Sequence, residues 1–462
     1  MSTTDFSSLP LKPGLLENLS SLGYEQMTPI QAQSLPDVLA GKDVIAQGKT
    51  GSGKTAAFAL GLLQRLNVKR FRVQTLVLCP TRELADQVAK EIRKIARQIH
   101  NIKVLTLCGG LPMGPQIGSL EHGAHIIVGT PGRVEDHLLK GRLILDELNT
   151  FVLDEADRML EMGFQSAIDA IIDYAPKDRQ TLLFSATFPT QIKSIADRIM
   201  VNPTMVKVES THDTNTIEQN FYKVTDNTSR YEALRVLLLK YQPESSVVFC
   251  NTKRETQEVA DILADDGFNV VALHGDLEQR VRDQTLVRFA NKSASVLVAT
   301  DVAARGLDIE SLDAVINYHV SHDPEVHVHR IGRTGRAGSK GLALTLFNDN
   351  DGYKVAMLEE YIGISTDPSP LPNEDDIAAR PAPASMATLC IDGGKKHKVR
   401  PGDIVGALTG KSGIPGDAIG KIHVFDRIAY VAVRRDVANS AFTKLSEGKL
   451  KGRTFRVWRV RG

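Results

Sequence analysis

VIAQGKTGSGKT, from Val44 to Thr55, joins a short apolar run to a glycine-rich turn that ends on a lysine and a threonine. The apolar run reads as a buried strand and the residues after Thr55 read as a helix. Repeated glycines, Gly51 and Gly53 around Ser52, let backbone N–H groups turn inward around phosphate oxygens. Lys54 can then reach the terminal phosphates and Thr55 can hold Mg²⁺. Strand, phosphate-binding turn and helix in that order form the repeating unit of a parallel sheet covered by helices.

The same alternation recurs along the chain. TLVLCP (Thr75–Pro80), KVLTLCGG (Lys103–Gly110), HIIVGTP (His125–Pro131), TFVLDEAD (Thr150–Asp157) and TLLFSAT (Thr181–Thr187) read as further central strands. A second series follows: SVVFCNT (Ser246–Thr252), VVALHGD (Val270–Asp276), SVLVATD (Ser295–Asp301), AVINYHV (Ala314–Val320) and GLALTLF (Gly341–Phe347). Helices are expected over Thr252–Asp265, Gln279–Phe289 and Pro324–Ile331. Chemistry-bearing residues follow the C-terminal ends of the strands, the edge at which such sheets bind ligands. Asp154, at the end of one strand, can bind the hydration shell of Mg²⁺, while Glu155 can orient or deprotonate an attacking water.

The expected architecture is α/β: two tandem parallel-sheet domains over 1–208 and 209–365, a flexible proline-rich linker over 366–385, and a small α+β domain over 386–462. A chain of 462 residues exceeds the size at which one core keeps growing. An apolar fraction of 42% with 24% charged residues is that of an ordinary globular protein. No apolar run reaches the length of a membrane span, and MSTTDFSSLPLKPG does not read as a secretory signal, so a cytoplasmic protein with no membrane partner is expected. Cys79, Cys108, Cys250 and Cys390 are widely spaced and read as buried thiols rather than a disulfide framework. The net charge of +1 hides an asymmetry: Arg380 to Gly462 carries 17 basic against 6 acidic residues, leaving 39 against 49 for the rest. A basic module on an acidic body suits a polyanionic partner.

Taken together, these motifs resemble those of the DEAD-box RNA helicases over residues 6 to 350. Beyond the phosphate loop and Asp154-Glu155-Ala156-Asp157, the resemblance rests on Phe6, Tyr24, Thr28-Pro29-Ile30-Gln31, Pro80-Thr81-Arg82-Glu83-Leu84-Ala85, Gly109-Gly110, Thr130-Pro131-Gly132-Arg133 and Ser185-Ala186-Thr187. The second series adds His274-Gly275-Asp276, Gln279, Arg282, Ala299-Thr300-Asp301, Ala303-Ala304-Arg305-Gly306-Leu307-Asp308 and His329-Arg330-Ile331-Gly332-Arg333-Thr334-Gly335-Arg336. The resemblance implies that the two parallel-sheet domains are RecA-like and the small α+β domain RNA-recognition-like, and that the protein is an RNA-dependent ATPase that locally unwinds short duplexes, with ATP and Mg²⁺ as cofactors. It implies that Gln31 reads adenine, Tyr24 stacks on it and Asp308 meets the ribose, with Arg333 and Arg336 supplied to the transferring phosphate. Ser185, Thr187 and His329 would couple the ATP site to RNA. Arg82, Gly110, Thr130, Gly132 and Arg133 in the first domain, with Asn251, Thr252, Thr300 and Arg305 in the second, would hold the sugar-phosphate backbone without reading bases.

The tail resembles the RNA-binding domain of those family members that are directed to bacterial large-subunit ribosomal RNA. That implies a structured RNA partner, a 23S ribosomal RNA hairpin and the large-subunit precursor, and no obligate protein partner is evident. The aromatic platform of an RNA-recognition fold is weak here: Thr388-Leu389-Cys390-Ile391-Asp392 has no ring, and Ile428 to Val433 offers only Tyr430. A basic flank of Lys395, Lys396, Lys398, Arg400, Lys411, Arg434 and Arg435 is expected to hold the RNA instead, extended by Lys444, Lys449, Lys451 and Arg453. Two alternatives stay open, a noncatalytic ATP-gated RNA clamp and a general mRNA or cold-response helicase. The intact Lys54, Glu155, Arg333 and Arg336 favour the enzyme over the clamp, and the tail favours a ribosomal target.

Overall fold

The computed structural model describes residues 4–48, 51–188, 190–208, 217–304, 312–335, 340–410 and 413–460. Two compact units emerge, residues 1–211 and 212–462.

The first unit is built on a parallel sheet of seven strands, β1 (Val44–Gln47), β2 (Thr75–Leu78), β3 (Val104–Leu107), β4 (Ile126–Gly129), β5 (Thr150–Asp154), β6 (Gln180–Ser185) and β7 (Thr204–Lys207), in the order β3-β4-β2-β5-β6-β1-β7. Burial alternates with period two. Val77, Val152, Leu182 and Ala46 face one apolar cluster, while Leu76, Leu78, Leu153, Leu183 and Ile45 face another on the opposite side. Strands covered on both faces read as continuous apolar runs, which is why the pattern was legible.

In the second unit, β8 (Ile217–Lys223), β9 (Ser246–Cys250), β10 (Val270–Leu273), β11 (Val296–Thr300), β12 (Ala314–Asn317) and β13 (Gly341–Phe347) make a six-stranded parallel sheet in the order β10-β11-β9-β12-β13-β8. It too is clad on both faces, by clusters holding Val248, Val298 and Ile316 on one side and Val247, Leu297 and Val315 on the other. Helices start where a short polar side chain follows a strand and satisfies an orphan N–H. Thr81 accepts from Leu84 N at 3.3 Å, and Thr252 accepts from Glu255 N at 3.2 Å.

The C-terminal module folds as β14 (Met386–Ile391), β15 (Ile419–Val424), β16 (Ala429–Arg434) and β17 (Val457–Arg459), an antiparallel sheet in the order β15-β16-β14-β17. One face packs Leu389, Ile391, Val431 and Val433 against the helices Pro401–Thr409 and Ala438–Glu447. The other face is covered as well. Cys390 and Tyr430 pack on Val287 of the helix Gln279–Ala290, and Thr388 Oγ1 meets Ser293 Oγ at 2.7 Å and accepts from Asn291 Nδ2 at 3.2 Å. Rings do lie on this face, Tyr430 with Phe425 and Trp458 beside it, but it packs against the neighbouring parallel-sheet domain.

Residues 366–385, expected as a free tether, run instead along that domain. Ser369 N donates to Phe221 O at 2.7 Å, Ala378 N to Leu239 O at 3.3 Å, and Asn269 Nδ2 to Ala382 O at 3.3 Å, while Ile377 packs on the domain core. Prolines remove donors, but the residues between them keep theirs, and Ile377 adds an apolar anchor. The four cysteines are buried free thiols. Among the described residues no helix is long and apolar enough to cross a membrane.

Candidate nucleotide and RNA site

The C-terminal edge of the seven-stranded sheet divides in two. Strands β5, β6 and β1 are neighbours, and their ends carry the motifs expected to bind nucleotide; strands β3, β4 and β2 are neighbours, and their ends carry the motifs expected to hold the RNA backbone.

On the nucleotide side, Lys54 is buried and its Nζ donates to the Gly48 carbonyl, whose own N–H donates to Ser185 O at 3.0 Å. Gln31 is 2% exposed, accepts from Thr28 N at 2.9 Å and donates to Gly53 O at 3.0 Å. The Gln31 amide, expected to read adenine, and the phosphate loop are therefore directly bonded. Gly53 has φ +94°, and a Cβ there would fall 2.5 Å from Gln31 Nε2, so only glycine fits. Thr28 Oγ1 is buried beside it, at the capping box that opens the helix Pro29–Leu39. Gly51 also takes a positive φ, and Ser52 and Thr55 line the turn half-buried. Tyr24 is held by its hydroxyl, which donates to Glu91 Oε1 at 2.6 Å, and by an edge contact with Phe6.

Asp154 is 2% exposed, and burial together with the adjacent Glu155 charge raises its carboxyl to about 7, with Lys54 acting in the opposite sense. A buried carboxylate short of positive charge, with the Thr55 hydroxyl on the neighbouring loop, is a hard-oxygen donor set that fits Mg²⁺. Glu155 follows in the left-handed region at φ +53°, and its Oε2 accepts from Arg158 Nη1 at 3.0 Å. Asp157 ties this turn to β6: its Oδ2 accepts from both Thr187 N and Thr187 Oγ1 at 2.9 Å, and its N–H donates to Ser185 Oγ at 3.3 Å.

On the other half of the edge, Thr130 Oγ1 accepts from Gly109 N at 3.3 Å, and Arg133 Nη1 donates to Leu111 O at 3.1 Å. Arg82 opens the helix after β2, Gly110 lies in the turn after β3 at φ +71°, and Gly132 sits in the first turn after β4 with open space at its Cβ position. All five expected contacts are brought to one strip.

In the second unit, Asn251 and Thr252 follow β9 and Thr300 ends the adjacent β11. Asn251 N donates to Glu255 Oε2 at 3.3 Å, and a cavity of about 330 Å³ lined by Asn251, Asp301, Ser321, Asp323 and Arg330 opens beside it. Arg330 is fully employed, with a two-pronged bond to Asp301 at 2.7 and 2.6 Å and further bonds to Asn317 Oδ1 and His319 O. It is a scaffold for its helix, whose exposed face carries His329, and Arg333 follows in the next turn. Lys49, Thr50, Arg305, Asp308, Arg336 and Lys411 lie outside the described residues.

The basic tail residues do not form one flank. Lys395, Lys396 and Lys398 are gathered at one end of the sheet, where Lys395 N and Lys396 N donate to Phe425 O and Asp426 O, and exposed Arg400 follows them. Arg434 and Arg435 sit at the opposite end of β16, where Arg434 is paired with Asp436 at 2.8 Å and Asp417 at 3.5 Å. Lys451 is paired with Asp403 at 3.2 Å. An antiparallel strand separates what the sequence order brings near. Reading the sequence also passed over Arg158, though its i,i+3 spacing from Glu155 is the signal that would have found it.

The DEAD/DEAH box helicase family matches residues 28–195, the helicase conserved C-terminal domain 229–338, and the DbpA RNA binding domain 388–459. The ATP-dependent RNA helicase DbpA of Escherichia coli is 56% identical over 98% of this chain and 99% of that protein. The DEAD-box ATP-dependent RNA helicase CshA of Geobacillus kaustophilus is 46% identical over 74% of this chain and 73% of its own. Among solved structures, S. cerevisiae Dbp5 bound to RNA and ADP BeF3 is similar with a TM-score of 0.72 and 31% identity, over 81% of this chain and 97% of that one. A phosphate loop bonded to Gln31, a carboxylate turn tied to Thr187, two parallel sheets in series and near full-length identity lead to one assignment: the chain belongs to the DEAD-box ATP-dependent RNA helicases.

Proposed function

We infer that this helicase acts in the cytoplasm on 23S ribosomal RNA during assembly of the large ribosomal subunit, brought there by its C-terminal module. The observation that carries the reading is the covered sheet of that module. The sheet face that holds Tyr430, with Phe425 and Trp458 beside it, packs against the neighbouring domain, and the exposed Lys395, Lys396, Lys398 and Arg400 end is left to grip a structured hairpin through its phosphates. The basic charge of the tail on an acidic body supports the same reading.

In this account Gln31 and Tyr24 select adenine, and Lys54 leaves the Gly48 carbonyl to meet the terminal phosphates. Thr55 and Asp154, the latter largely through water, hold Mg²⁺, which neutralises phosphate charge when bound. Glu155 orients the attacking water, and Arg333 and Arg336 stabilise charge developing on the transferring phosphoryl group. Asp308 meets the ribose. Arg82, Gly110, Thr130, Gly132 and Arg133, with Asn251, Thr252, Thr300 and Arg305, grip one strand by its backbone, bending it so that pairing with the other strand fails. Ser185, Thr187 and His329 make hydrolysis depend on that grip. Steady-state ATP turnover with a 23S hairpin fragment and with an unrelated duplex of equal length tests the reading. Half-maximal stimulation at a concentration at least about 10-fold lower for the ribosomal fragment is expected, and equal stimulation by both rejects it.

A further inference from the structure

The carboxylate assigned to position the attacking water has one oxygen held and one open. Glu155 Oε2 accepts from Arg158 Nη1 at 3.0 Å, and no protein group among the described residues bonds Oε1. The Arg158 side chain is 6% exposed and that of Glu155 13%, so the pair is shielded from the solvent screening that makes surface ion pairs weak. Its backbone is fixed too: Arg158 N donates to Asp157 Oδ1 at 3.0 Å, on the carboxylate whose other oxygen holds Thr187. The turn that carries Glu155 is left-handed, a conformation that costs free energy and persists only where surrounding bonds over-determine it.

We propose that Arg158 is a positioning residue for hydrolysis: its guanidinium fixes Glu155 Oε2 so that Oε1 faces the water, and its bond to Asp157 sets that orientation from the same turn that senses Thr187. This rests on the reading of Glu155 as the residue that orients the water. A carboxylate free to rotate would still let ATP bind, but would spend little of its time in the reactive orientation. The effect therefore falls on kcat rather than on nucleotide affinity.

The test uses the full chain with Arg158→Gln and Arg158→Lys, each alone and combined with Glu155→Gln, measured as RNA-saturated single-turnover hydrolysis alongside binding of a fluorescent ATP analogue and thermal melting. Arg158→Gln is expected to lower the rate roughly 10- to 100-fold with nucleotide affinity within about 3-fold of native. In the Glu155→Gln background the same change should have no further effect, because the group it positions is gone. Arg158→Lys, which keeps the charge but not the fork, should lose several-fold and only where Glu155 is present; it serves also if the glutamine variant melts out. Equal losses in both backgrounds, or an unchanged rate in Arg158→Gln, would overturn the proposal. An undiminished rate in Glu155→Gln alone would remove the underlying reading and the proposal with it, a result distinct from either.

Discussion

Thr187 places its amide and its hydroxyl on the same oxygen of Asp157, each at 2.9 Å, and so locks the end of β6 to the turn that carries Asp154 and Glu155. Nothing else among the described contacts ties Thr187 to that turn so directly. Thr187→Val keeps the amide bond and the shape but removes the hydroxyl donor. The loss of a hydrogen bond to a charged group is worth about 1.5–3 kcal/mol. Strand separation measured by displacement of a labelled oligonucleotide should fall about 10-fold or more, while affinity for ATP changes by less than about 3-fold.

Gly53→Ala sets a Cβ against Gln31 Nε2 and Thr28 Oγ1 in a backbone conformation that alanine disfavours. Affinity for a fluorescent ATP analogue should drop at least about 10-fold. The melting temperature of the C-terminal module, which belongs to the other compact unit, should stay where it is.

The raised carboxyl of Asp154 makes stability depend on pH. Its folded value of about 7 lies above the ordinary value of 3.8, so the folded state binds the proton more tightly. The contribution is present in full below the ordinary value and is lost as the pH rises towards 7, reaching a few kcal/mol at most. Without nucleotide or Mg²⁺, Asp154→Asn should therefore melt several degrees above the native protein at pH 8 and show no such advantage at pH 4. Calorimetry at the two values checks the sign.

Tyr430→Asp puts a charge into the apolar contact with Val287 and Cys390. Burying an unpaired carboxylate there costs more than docking returns, so the module should detach from the helix Gln279–Ala290. Amide exchange of Val287 and its neighbours should rise by about 10-fold or more over the native protein.

What could be read from the sequence was what burial on two faces writes into it. β1 to β6 and β9 to β13 are apolar runs because helices cover them, and the phosphate loop announces itself by spacing. β8 was passed over because IEQNFYK lies at the edge of its sheet and keeps polar residues on half of its length. The covering of Tyr430 could not be read at all, since it depends on where a second domain lies rather than on any local pattern. For the same reason Lys398 and Arg434 looked like one flank until the strand between them was known.

The most direct test is ATP-driven displacement of a short strand from a duplex placed beside the 23S hairpin, compared with the same duplex lacking it. The account predicts displacement that requires hydrolysable ATP and proceeds at least about 10-fold faster when the hairpin is present. Equal rates on both substrates, or displacement that a nonhydrolysable analogue supports over many turnovers, would contradict it.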